Sequence, residues 1–211
     1  MKEVVFDNPH RKKHFEFFRN LNHPHFNITA SVKVGSLIKT CKEKEISVHL
    51  ALVYLISRIA NEIPEFRWRI RGDQIIEHVA VHPSFTVPTE TSDVFSFCEV
   101  KYDKDSKVFL ERAMDARSQR WSDPHFEDEK DRDNYIFLSS FPWVAFTGYQ
   151  HAMQFHPHDS VPRISWGKIL ETNGVMTMPL SVQVHHAIVD GSHVGQYFEM
   201  VESYALQTNF L

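Results

Sequence analysis

The residues of this chain with the clearest capacity for chemistry are two adjacent histidines and an aspartate-glycine pair, His185-His186-x-x-x-Asp190-Gly191. Imidazole is the side chain that gains and loses a proton near neutral pH, and a nearby carboxylate can orient it. From Leu180 to His186, apolar and polar residues alternate, which predicts a half-buried strand. Leu180, Val182, Val184 and His186 share one face; Ser181, Gln183 and His185 share the other. His186 therefore ends an apolar face, and Asp190-Gly191 signals the turn that follows. Such an arrangement suits a general base with its support. Three plainer readings compete. A buried histidine is most often a satisfied core residue. The set could be zinc ligands, although neighbouring strand residues point to opposite faces and would chelate one ion poorly. Asp190-Gly191 could be only a loop. Residue types and spacing leave all of these open.

Composition narrows the setting. A chain of 211 residues suits one domain, 1–211, with a sizeable core. Hydrophobic residues at 42% and charged residues at 24% fit a soluble globular protein. A net charge of −4 gives no electrostatic case for nucleic acid or an anionic membrane. No apolar run approaches membrane-spanning length, and the start lacks a signal peptide's apolar centre. Cys41 and Cys98 make neither a disulfide framework nor a metal knuckle. A cytoplasmic location is the expectation.

The elements that must position the chemistry can be read in order. Asn8-Pro9 opens a helix carrying Arg11, His14, Phe15, Phe17, Phe18 and Leu21. Residues 26–34 alternate as a strand. Ser47 caps a helix striped with Leu52, Leu55, Ile56 and Ile59, which Pro64 ends. Phe66–Ile70 and Gln74–Val81 read as a hairpin around Arg71-Gly72-Asp73. Further strands are predicted at Phe85–Val87 and Phe95–Phe97, then a helix from a Ser106 cap to about Gln119. Trp121–Asn134 reads as a charged loop or short helix. Tyr135–Thr147 reads as a strand broken by Pro142. In the loop His151–Pro162, a metal site from His151, His156, His158 and Asp159 is disfavoured by irregular spacing across prolines. Strand Arg163–Leu170 meets the final strand through Thr172-Asn173-Gly174, a hairpin signal, and a helix from His193 closes the chain.

Several of these stretches together resemble the chloramphenicol acetyltransferase family. His185-His186-x-x-x-Asp190-Gly191 is similar to its signature, Arg11-x-x-His14-Phe15-Glu16-Phe17 to its opening segment, and Ser139-Ser140-Phe141-Pro142-Trp143 to its Ser-Ala-x-Pro-Trp. The resemblance implies an α/β sandwich with a mixed sheet flanked by helices, the CoA-dependent acyltransferase fold. It implies transfer of acetyl from acetyl-CoA to a small-molecule hydroxyl, chloramphenicol being the family's acceptor and antibiotic resistance its consequence. No metal enters that chemistry. His186 would be the base, Ser139 the donor to the reaction intermediate, and Arg11 the partner of Asp190. The acceptor pocket would draw on Phe17, Phe18, Ser84, Thr86, Phe95, Phe97, Phe126, Tyr149, His151 and Ser165. A homotrimer is implied, with sites between subunits. His151 and Asp159 stand where the family's pocket is apolar or aromatic, which points to a different alcohol or amine as an alternative acceptor. Other readings are a dihydrolipoyl acyltransferase core, whose lipoyl module and linker are not seen in this sequence, and a non-catalytic acyl-CoA-binding protein on the same fold.

Overall fold

In the computed structural model, which describes residues 1–211 apart from Asp128, Lys130, Asp131 and His158, helices and strands interleave. The order is β1 (Lys2–Val4), α1 (Pro9–Arg19), β2 (His25–Lys33), α2 (Gly35–Glu43), α3 (Val48–Glu62), a 3-10 turn (Pro64–Arg67), β3 (Trp68–Arg71) and β4 (Gln74–Glu77). There follow β5 (His82–Val87), β6 (Ser96–Glu99), α4 (Ser106–Ser122), β7 (Tyr135–Phe141), β8 (Arg163–Gly167), β9 (Leu170–Thr172), β10 (Val175–His185) and α5 (Gly191–Gln207). The main sheet runs β2-β10-β8-β7-β5-β6, with β9 paired to β10; β7 is parallel to both β5 and β8, so the sheet is mixed. A small antiparallel sheet, β1-β4-β3, stands apart.

Local chemistry explains the boundaries. The Asn8 side chain accepts from the amides of His10 and Arg11, and Pro9 follows in the first turn. Ser47 Oγ accepts from Leu50 N at the start of α3. The cap of α4 is Asp105, whose carboxylate accepts from Lys107 N and Val108 N; Ser106 is already helical. The chain after Pro64 turns once as a 3-10 helix before entering β3, so the strand begins two residues later than its aromatic composition suggests. Likewise β4 stops at Glu77, and the Arg163–Leu170 stretch divides at Lys168 into β8 and β9. Asn173 and Gly174, at φ of 52° and 76°, make the two-residue hairpin turn. Helix α2 had no clear signal in the sequence.

Alternation along β10 sends Met178, Leu180, Val182 and Val184 into one apolar core with Ile164, Trp166, Ile136, Leu138 and Phe85, against the apolar residues of α3 and α5. The opposite face is polar, yet it is buried too: Ser165, Ser181, Gln183 and His185 are at most 2% exposed. The expectation of a half-buried strand thus gives way to one covered on both faces. The cover on the polar face comes from the described residues of the 142–162 segment, where Ser181 Oγ donates to Tyr149 O and His151 N donates to Gln183 Oε1.

At Gly167 that segment lies directly against the sheet, with Lys168 N donating to Val144 O at 2.9 Å. A Cβ there would meet Val144 O at 2.6 Å and Pro179 Cγ at 2.7 Å. Gly167→Ala is therefore expected to destabilise the fold by ~1–3 kcal/mol through overpacking, which a urea melt would measure.

Asp133 ties the small sheet to β7. Burial opposes its ionisation, but hydrogen bonds from Arg71 (2.6 and 2.8 Å) and His78 (2.8 Å) outweigh that and lower its pKa. A carboxylate with a depressed folded pKa contributes stability above its unfolded value of ~3.9 and loses it as pH falls toward the folded value. Thermal melts taken downward from pH 5 should show a steep loss below about pH 4, and Asp133→Asn should flatten it.

Candidate active site

His186 follows β10 directly, and its amide donates to Pro24 O at 2.8 Å. Its ring lies among three others: Phe18 at 3.9 Å between centroids and His14 at 5.2 Å, both from α1, and Phe26 at 4.6 Å from β2. The next residues curl back, with Ile188 N and Val189 N both donating to His185 O. This curl places Val189 O 3.3 Å and Asp190 Oδ1 3.8 Å from His186 Nδ1. Both neighbours are acceptors, which assigns the proton to Nδ1 and leaves the lone pair on Nε2. With its side chain 26% exposed, the ring is shielded from bulk water yet reachable.

Asp190 is the N-cap residue of α5, and its amide donates to His193 Nδ1 at 2.9 Å. The Gly191 amide lowers the carboxyl's pKa, against burial and with help from His186 and His14. Arg11 reaches this turn, but not as the resemblance implies. Its Nη2 donates to Ile188 O at 2.6 Å and its Nη1 lies 2.9 Å from His14 Nδ1. Among the described residues no Arg11–Asp190 ion pair falls within 4.0 Å. Burial lowers the pKa of Arg11, while Asp190 and Glu65 attract its charge from farther away. The physical reason is the helix start, whose Gly191 amide engages the carboxylate. Arg11 holds the turn by a carbonyl instead.

A second cluster lies on the polar face of the sheet. Ser139 of β7 is level with Ser165 of β8, and Ser165 Oγ is 2.7 Å from His151 Nε2. The Tyr149 ring stands edge-on to His151 at 4.8 Å. Burial, helped by the Arg163 charge, pushes the His151 pKa down to about 3, so this imidazole is neutral. Ser84 is buried and Thr86 half-buried on β5. Phe95, Phe97 and Phe126 form a triangle of rings with centroids 5.4–5.7 Å apart. Phe17 is mostly exposed beside Phe18 and joins the first cluster.

The two clusters do not meet within one chain. Ser139 pairs across with Ser165, and Ser165 with Ser181, so His186 lies two strands and five residues from Ser139. At ~3.3 Å per residue and ~4.8 Å per strand this separates them by about 20 Å.

Asp159, one of the residues weighed as a metal ligand, is engaged bidentately by Arg163 at 2.9 and 2.6 Å; His158 lies outside the described residues. His14, His186 and Asp190 do bring one donor atom each within 4.8 Å of one another. The Arg11 guanidinium beside His14 opposes a cation there. Among the residues around the base, His14 and Phe26 were given no role in the site by the sequence, although His14 stands in the Arg11-x-x-His14 segment. His14 had a signal, lying three residues after Arg11 on one helix face. Phe26 had none locally, because only the β2–β10 register brings it opposite Val184.

Comparison with known proteins agrees with the resemblance. The chloramphenicol acetyltransferase family model matches residues 1–202. A chloramphenicol acetyltransferase of Proteus mirabilis is 30% identical over 194 residues, 92% of this chain and 89% of the relative. One from Bacillus pumilus is 28% identical over 94% of this chain and 91% of the relative. A solved chloramphenicol acetyltransferase superposes with a TM-score of 0.83 at 26% identity, covering 97% of this chain and 100% of the other. A truncated catalytic core of the 2-oxoacid dehydrogenase complex from Thermoplasma acidophilum shares the fold, with a TM-score of 0.69 at 17% identity, 99% of this chain and 100% of that one. With its signature histidine at the end of β10 and its match along nearly the whole length, the chain belongs to the chloramphenicol acetyltransferase family and is an acyltransferase of that type.

Proposed function

We propose that this protein transfers the acetyl group of acetyl-CoA to the hydroxyl of a small acceptor, with chloramphenicol as the first acceptor to test. The observation that carries the reading is His186, whose Nδ1 faces only acceptors and whose Nε2 is left with its lone pair. Nε2 takes the acceptor's hydroxyl proton as the oxygen attacks the thioester carbonyl. The resulting oxyanion receives a hydrogen bond from Ser139. Collapse breaks the carbon–sulfur bond, and the proton on Nε2 passes to the departing CoA thiolate. The products are the acetyl ester and free CoA. No acetyl-enzyme and no metal is needed, since both substrates meet in one ternary complex. Asp190 and Arg11 hold the turn that aims the ring. Phe17 and Phe18 flank the base, and the pocket residues of the second cluster line the acceptor side.

The separation of His186 from Ser139 supports a site shared between chains, and we read the assembly as a homotrimer of this 1–211 domain in which one chain's base faces a neighbour's acceptor pocket. The reading places it in the cytoplasm, and no helix among the described residues is long and apolar enough to cross a membrane. A different alcohol or amine acceptor is favoured by one specific feature. The wall beside Ser139 carries the His151–Ser165 hydrogen bond and the Arg163–Asp159 pair. Release of free CoA thiol, measured with and without chloramphenicol, tests the reading. Acceptor-dependent release confirms it for the drug; release only with other alcohols or amines moves the acceptor and keeps the mechanism. No release with any acceptor would leave an acyl-CoA-binding protein.

A further inference from the structure

His14 occupies the side of the site that the mechanism above does not use. Its Nδ1 is 2.9 Å from Arg11 Nη1, and guanidinium can only donate, so Nδ1 is an acceptor and His14 carries its proton on Nε2. The same guanidinium donates through Nη2 to Ile188 O, in the curl that brings Val189 O to His186 Nδ1. Arg11 is thus held at both ends, by a histidine on its own helix and by the turn of the base. Phe18 packs against both imidazoles, 4.7 Å from His14 and 3.9 Å from His186. The His14 ring stands at 77° to that of His186.

Resting on the assignment of His186 as the base, we propose that His14 is a positioning residue, acting as the fixed acceptor that aims the Arg11 guanidinium at the turn and so sets the orientation of His186. The charged and titratable groups around this array are His10, Arg11 and His14 from α1, Glu65 from the 3-10 turn, Asp190 and His193 from α5, and His186 itself. Burial lowers the His14 pKa, aided by Arg11 and His186 and opposed by Asp190. His14 therefore stays neutral, able to accept, further into mild acid. Free rotation of Arg11 would loosen the carbonyl hold on residues 188–189. A displacement of the base by about 1 Å can cost ~100-fold in rate.

Two substitutions separate this role from packing. His14→Phe keeps a ring against Phe18 but offers Arg11 nothing; His14→Asn loses the ring but keeps an acceptor near the position of Nδ1. His14→Phe should lower kcat about 10-fold or more with little change in either KM. His14→Asn should recover at least about threefold of that loss. If His14→Asn is as slow as His14→Phe or slower, or if His14→Phe keeps wild-type kcat, the proposal is overturned. The wild-type protein gives an independent check free of folding defects. With nitrogen-15-labelled histidine, NMR at neutral pH should show His14 protonated at Nε2 only, and a proton on Nδ1 overturns the proposal. Loss of turnover in His186→Ala alongside a normal His14→Phe would sink this role alone and leave the base in place.

Discussion

Replacement of His186 by alanine should lower kcat by ~10²–10⁴-fold, the contribution of a positioned general base. At 1.36 kcal/mol per tenfold, this removes ~3–5 kcal/mol of transition-state stabilisation. The fall should appear in kcat with little change in either KM, because the lone pair on Nε2 acts on a proton that moves only in the transition state. Stability should change much less. The ring is partly exposed, and its contacts with Phe18 and Phe26 are edge contacts of a core whose mass lies elsewhere. Thiol release by the purified variant, beside a melting curve, makes the measurement. A variant that kept more than about a tenth of wild-type kcat would remove His186 from the role of base.

The second large effect comes from geometry instead of chemistry. Ser139→Ala should itself cost ~10²–10³-fold as an oxyanion donor is lost. Co-expressed with His186→Ala chains, however, it should restore activity. With about 20 Å between the two positions along the sheet of one protomer, the proposed site takes them from different chains. In the proposed trimer, when the two variants are mixed, each site would draw its histidine from one chain and its serine from the next. Each is intact with a chance of about one half, so about a quarter of all sites work and about a quarter of wild-type activity returns. Sites confined to single chains would give none. Separately purified variants mixed without subunit exchange are the control, and they should remain inactive.

Much of the site was legible because its signals are local. The Asn8-Pro9 cap, the alternation ending at His186 and the Asn173-Gly174 turn each lie within a few residues, and each forms as its chemistry dictates. What the sequence hid depends on pairing between distant segments. Nothing near Phe26 says that β2 will lie beside β10 and set that ring on His186. Nor does the motif say that Arg11 will take the carbonyl of Ile188 and not the carboxylate of Asp190, since that choice is made by where α5 begins. The polar residues Ser181, Gln183 and His185 look like a solvent face by period alone. Their burial follows from the described residues of the 142–162 segment, which carry no periodic signal.

Asp190 caps a helix as well as facing the base, and those two duties make different demands on heredity. Asparagine caps a helix about as well as aspartate. Losing the charge at the helix start costs only ~0.3–1 kcal/mol. With no direct Arg11 pair to break, an Asp190→Asn chain should fold nearly as well as its parent, contrary to the larger stability cost that an Arg11–Asp190 pair would imply. Folding would then exert little purifying pressure at this position. A lineage released from the need for fast turnover could drift to asparagine here in a single nucleotide step, while keeping the same architecture.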